Sequence, residues 1–469
     1  MYRKEFLFVL MALFVMALVT ADEPKEQKDE KAELQKEVEA QVKDTMAEVS
    51  KIRGKEYCKT VPVGIQSPDN VVEFVLKAFE EDLRPGEMDE MKAVMVKFGL
   101  LSPDVDLKAA IVKMLKENVA GMYVPKEKKL YLSESSARNK AALIETLAHE
   151  LCHALQDQYF DVQAFVRHIY DSDDRALAAQ AVVEGEATAV GIEVALQRSG
   201  MSITKLPTKI GDLIRMSLTM QARKTDVPKV LMEMLVFPYI YGSNFVQAFV
   251  NKKGFKELDR LFIKPPLSTE QLLHPDKYFS DEVDYPVEIV SEPLDKLFGE
   301  KWELLADSSA GEFIIGLVGR QFVTPKEAAT MAAGWGGDRY NIVREKETKR
   351  TVLAWFTTWD SNKDAKEFFE TYTTVLEKKY SKQATKTDET AFFWAGENEL
   401  VWLEMNENDV LVIESVTKDE LPNVREYLGK AKKVEMSAKS IKIKERKINL
   451  PEPPKQEKGE PKKEEPKEF

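Results

Sequence analysis

The chain has 469 residues, 43% hydrophobic and 32% charged, enough apolar material for sizeable cores, so disorder throughout is excluded. With 80 acidic against 68 basic residues the net charge is −12, the wrong sign for a nucleic-acid binder, which needs a basic face to displace phosphate counterions. Two cysteines cannot build a disulfide framework or a four-thiolate zinc site, and four histidines leave room for few imidazole sites.

Residues 1–21 read as an export signal. Arg3 and Lys4 are basic, Phe6 to Val19 is an uncharged apolar run, and Val19-Thr20-Ala21 supplies small residues before Asp22. A bilayer span takes ~20 apolar residues, so no stable membrane span is expected once the signal is cleaved. An uncleaved anchor is the alternative. The expected location is periplasmic or extracellular. In the charged stretch 22–56, Leu34, Val38, Val42 and Met46 recur every four residues, which predicts an amphipathic helix. Pro68 to Ala120 reads as three helical pieces, separated by Pro85-Gly86 and Ser102-Pro103-Asp104. Gly121-Met122-Tyr123-Val124 and Leu130-Tyr131-Leu132 then flank a charged turn, which predicts a short hairpin.

Two long helices are expected next, over about 137–158 and 174–197, with further helices to about Leu261 and a break at Pro265-Pro266. All six tryptophans lie between 302 and 402, where strand patterns appear at Thr351 to Thr357, Leu400 to Glu404 and Val410 to Val416. Residues 300–445 therefore read as a separate α+β domain with an antiparallel sheet. In it, Gly334-Trp335-Gly336-Gly337 fits a tight turn entering a strand. The segment 446–469 is rich in Pro, Lys and Glu; its last nineteen residues hold five Pro and eleven charged residues, a composition that predicts disorder. Cys58 and Cys152 could form one bridge, though nothing local favours it.

The sharpest feature is His149-Glu150-Leu151-Cys152-His153, an HExxH within the first long helix. Histidines four apart lie one turn apart on one face, so both rings can converge on one ion. Glu150 can reach water activated by that ion and accept its proton as a carbonyl is attacked. Leu143, Leu147, Leu151 and Leu155 form a separate stripe that packs inward. A catalytic site needs a third protein ligand, and His168, Glu184 and Glu186 are the candidates downstream. Glu184 and Glu186 are about 200° apart around a helix, so one at most faces the metal. Glu184 is favoured because it precedes Gly185, whose missing side chain would let this helix approach the HExxH helix. His274, Tyr239, Tyr241 and Tyr278 are candidates to stabilise an oxyanion, with His274 first because it lies on a loop.

HExxH with a glutamate on a second helix resembles the gluzincin group of zincin metallopeptidases. The wider run His149 to Gln158, with Val183-Glu184-Gly185-Glu186-Ala187-Thr188, resembles a group of exported bacterial proteins of zincin type. The resemblance covers about residues 45–290. It implies a mostly helical zincin-like metallopeptidase domain over 57–295, with a short edge hairpin along which an extended peptide would bind. It also implies one Zn2+ per chain held by His149, His153 and Glu184, and a peptide or protein substrate. Thirty residues separate His153 from Glu184, more than in thermolysin-like members, and Thr188 stands where an acidic residue is usual. The overall expectation is an α+β chain and an exported zinc metallopeptidase. A zincin-scaffold binding protein without turnover, or a zinc hydrolase of a non-peptide amide, are the alternatives.

Overall fold

The computed structural model describes residues 28–437 apart from 119, 170–171, 221–225 and 388. The signal segment 1–21, the tail 446–469 and the side chain of His168 lie outside the described residues. Among the described residues no helix is long and apolar enough to cross a membrane.

The four-residue apolar spacing near the start produces a 26-residue helix, Lys28–Arg53, that buries Leu34, Val38, Val42 and Val49. It packs beside a small sheet of β1 (Val63–Gln66), β2 (Gly121–Val124) and β3 (Lys129–Ser133), in the order β1-β3-β2. β2 and β3 form the expected antiparallel hairpin, while β1 joins β3 in parallel, so β2 is an edge strand. Alternation along these strands sends Val63, Ile65, Tyr123, Leu130 and Leu132 to one face, where Leu143, Leu147 and Leu151 of the HExxH helix meet them.

The HExxH helix spans Lys140–Phe160, started by Asn139, whose side chain accepts from the Ala142 N–H. The helix carrying Glu184 spans Asp173–Gln197, with Ser172 as its cap and Asp173 and Asp174 in its first turn, where acidic groups complement the helix dipole. The two pack through small residues: Ala187 and Val190 meet Ala148 and Cys152. A Cβ on Gly191 would lie 3.0 Å from the Glu145 carbonyl and 3.5 Å from His149. Gly191 therefore permits the close approach that was expected of Gly185. Gly185 faces another element instead, a π-helical turn at Pro238–Gly242, where an added Cβ would sit 2.2 Å from the Gly242 carbonyl carbon.

Further along the chain, β4 (Val287–Val290) precedes the larger sheet. That sheet is built from β5 (Trp302–Ser308), β6 (Trp335–Glu345), β7 (Thr351–Trp359), β8 (Thr385–Lys386), β9 (Ala391–Ala395), β10 (Leu400–Asn406) and β11 (Asp409–Val416). It is antiparallel throughout, ordered β5-β6-β7-β11-β10-β9-β8, and β12 (Lys432–Glu435) returns to pair with β4. The chain is thus α+β, as its sequence suggests. Tryptophans 302, 335, 355, 359 and 394 are buried. The largest apolar cluster runs across residue 300 without a break: Phe237 meets Phe313 at 4.0 Å, and Phe98 meets Tyr340 and Trp355 edge-on.

Candidate metal centre

His149 and His153 emerge one turn apart, and the neighbouring helix brings Glu184 against them. His149 Nε2 and His153 Nε2 are 3.0 Å apart, and Glu184 Oε2 lies 3.3 and 3.4 Å from them. All three side chains are buried. These spacings fit a metal. Donors at ~2.0–2.1 Å in a tetrahedron are separated by about 3.3–3.4 Å, so the triangle nearly matches one face of a tetrahedral zinc site.

The tautomer is set from outside the triangle. Gln156 Nε2 donates to the Val183 carbonyl at 3.0 Å, which turns its Oε1 toward His153 Nδ1 at 2.8 Å. Nδ1 must then carry the proton, leaving the Nε2 lone pair aimed at Glu184. In that neutral form three lone pairs face one point, which calls for a cation. Burial lowers His149 to about 4. For the other two, burial opposes both charges, but the His153–Glu184 attraction outweighs it, raising the imidazole and lowering the carboxyl, so that a metal binds here by displacing the Nε2 proton. The trio can therefore hold a metal ion.

Glu150 is fully buried, and burial raises its carboxyl to about 8. Its Oε2 accepts from the Tyr123 backbone N–H of edge strand β2 at 2.6 Å, while Oε1 has no hydrogen-bond partner among the described residues. Tyr123 is pinned in turn, its hydroxyl donating to Asp157 at 2.8 Å, and Asp157 also pairs with Lys128. Across the site, the Tyr239 ring on the π-helical turn stacks on His149, centroids 6.1 Å apart. Such turns recur at functional sites.

Glu186 points away from the triangle: Arg53 of the first helix pairs with its Oε1, and Cys152 Sγ lies 3.9 Å from the same atom. Cys152 is thus a buried thiol, and it and Cys58 are both unbridged. His274 is not brought to the triangle. Its Nε2 meets Glu312 Oε1 at 2.8 Å and its side chain is half exposed, whereas the three side chains of the triangle are buried. The physical reason is Glu312, a buried carboxylate that recruits the nearest imidazole as its partner. Tyr278 donates to the Lys264 carbonyl, and Tyr241 lies under Arg215. Of the four oxyanion candidates, Tyr239 is the one in contact with a metal-site histidine.

Sequence reasoning missed Gln156, Arg53 and the Tyr123 N–H. Gln156 could have been found as the residue one turn after His153. Nothing in the local sequence marks Arg53.

Residues 303–425, from β5 to the helix after β11, match a family model described as "Domain of unknown function (DUF8575)". No curated protein matches the chain. One solved structure, described as "a putative hydrolase with a novel fold" from Chloroflexus aurantiacus, is 18% identical. The match covers 54% of this chain and 91% of that one, with a TM-score of 0.39.

Proposed function

We propose that the protein is an exported zinc-dependent hydrolase of peptide bonds. The observation that carries this reading is the donor triangle of His149, His153 and Glu184 with the Glu150 carboxyl beside it. A zinc ion, when bound, supplies Lewis acidity and lowers the pKa of water to ~7. The chain's own residues do the rest. Glu150, its proton affinity raised by burial, takes the proton of the attacking water at Oε1 and returns it to the leaving amine. Gln156 holds the His153 tautomer, and an outer partner of this kind is worth 10–100-fold in metal affinity in other sites. The Tyr239 hydroxyl is the donor proposed for the developing oxyanion, and the outward backbone of β2 the edge on which a substrate strand would pair.

A second reading is favoured by one observation: the four polar side chains are buried and Glu150 is hydrogen-bonded to the chain itself, as in a metal site that only holds the fold. One experiment separates the two. Zinc content and cleavage of a mixed peptide library are measured for wild type and Glu150→Gln. Cleavage by wild type, with at least a hundredfold loss in the variant at unchanged zinc content, supports the hydrolase. One zinc in each with no cleavage by either supports the non-catalytic site.

A further inference from the structure

The helix Ile210–Met220 is apolar on two opposite sides. Ile210 and Gly211 are buried and Ile214 and Leu218 half-buried against the molecule. At 100° per residue, Leu213, Met216 and Met220 fall within an arc of about 60° on the other side. They are 38, 55 and 71% exposed, and Met201, just upstream, is 51% exposed. Eight large apolar side chains are exposed among the described residues, and these four share one short segment, so the exposure is concentrated rather than scattered.

Charge follows the same segment. Residues 198–229 carry seven basic and two acidic residues in a chain whose net charge is −12. Lys205, Lys209 and Arg215 are exposed, Arg198 pairs with Glu48 and Lys229 with Glu233, and of the two acids Asp226 pairs with Lys113 while Asp212 is exposed, which leaves the described part of the segment net positive. A second copy presenting the same face would set basic against basic, so a symmetric dimer does not suit it. Methionine side chains, unbranched and flexible, suit a fluid boundary better than a shaped pocket. We propose that this face docks on an anionic lipid bilayer. Leu213, Met216 and Met220 enter the boundary between headgroups and acyl chains, while Lys205, Lys209 and Arg215 meet lipid phosphates. This does not depend on the hydrolase reading. It does bear on it, because a Cβ on Gly211 would sit 2.1 Å from the Ile240 carbonyl, placing the helix directly on the turn that carries Tyr239.

The test uses the full chain in a Cys58→Ser background, with an environment-sensitive fluorophore on Met216→Cys or, in a second protein, Met201→Cys. A control carries it on Lys363→Cys, an exposed position on the helix after β7. Vesicles of phosphatidylglycerol and phosphatidylcholine mixed are compared with phosphatidylcholine alone. A blue shift at 216 and 201 with the anionic vesicles only, absent at 363, is expected. Lys205→Glu, Lys209→Glu and Arg215→Glu together should weaken it tenfold or more. No shift at 216 and 201, an equal shift with neutral vesicles, or an equal shift at 363 overturns the proposal. So does a shift that appears without vesicles and tracks dimer formation by light scattering.

Discussion

Which of two buried carboxylates can meet a metal is decided here by what each one pairs with. Glu184 and Glu186 are both buried acids on one helix, yet one meets two imidazoles and the other meets Arg53. Removing Glu184 opens one corner of the donor triangle, whereas removing Glu186 leaves an arginine buried with Asp259 as its remaining acid. Glu184→Ala is therefore expected to lose most bound zinc and, because it removes the buried partner of the His153 imidazole, to lower the stability of the metal-free protein as well. Glu186→Ala should keep zinc but destabilise the fold by roughly 1–3 kcal/mol, since Arg53 loses one buried acid while keeping Asp259. Zinc content by elemental analysis and urea titration of the metal-free proteins check both. The reverse pattern of zinc loss would reassign the third ligand. The histidine pair was readable from its spacing alone, because i and i+4 always share a face. The choice between the glutamates was readable only as a preference, because the roll of their helix depends on Arg53, far away in the chain. His274 misled for a similar reason: its partner Glu312 lies on a helix that no local pattern connects to it.

The elements around the centre are held close by missing side chains rather than by large ones. Gly185 and Gly242 meet backbone to backbone, since a Cβ on Gly242 would in turn sit 2.1 Å from the Ala181 carbonyl oxygen. Gly185→Ala must push the π-helical turn outward, carrying Tyr239 off His149. A loss of roughly 1–3 kcal/mol is expected from overpacking, with a weakened Tyr239 contribution to any activity. Gly200→Ala, where the Cβ has open space but φ is +73°, provides a control for backbone strain alone. Thermal unfolding of both variants is the check; equal, small losses would mean that the turn has slack. The long helices, the hairpin and most strands of the large sheet were readable from periodicity, which reports burial on one face. The assignment of Gly185 to the wrong neighbour shows the limit: a glycine marks that something comes close, not what.

The helical part and the large sheet are tied at the start of the Glu184 helix. The Asp173 amide donates to Ser308, and the Tyr340 hydroxyl donates to Asp173. Asp174 accepts from the Thr269 amide and hydroxyl, and Gly311, at φ +73°, lies so close to Asp174 that a Cβ there would overlap it. On the sheet side, Asp338 gathers the Trp335 and Trp355 indoles and the Ser309, Ala310 and Gly311 donors. Burial lifts the Asp174 carboxyl from 3.8 to about 7, against the Thr269 bonds that favour its charge. Its folded pKa lies above its unfolded one, so the stability it contributes is full below about 4 and is lost as pH rises through about 7. Asp174→Asn mimics the neutral form. From pH 4.5 to 7.5 the variant should gain on wild type by a few kcal/mol, measured by urea unfolding at each pH. A constant difference would show that Asp174 is ionised in the fold throughout. None of this junction could be read from the sequence, where the tryptophan-rich segment looked self-contained and the apolar core that crosses residue 300 left no local trace.

The bond between the Tyr123 amide and Glu150 has one further consequence. Its donor is the kind of edge group an incoming strand would use, and its acceptor is the carboxylate that would serve as base. On the hydrolase reading, a substrate strand that pairs through the Tyr123 amide must first displace this internal bond, which acts as a competitor for the edge while leaving Oε1 open. Apparent affinity is scaled down by the fraction of molecules in which that pairing is broken. Selectivity would then reward peptides that pair well enough along β2 to win the exchange, and a short or poorly ordered peptide would meet a closed door however good its scissile bond.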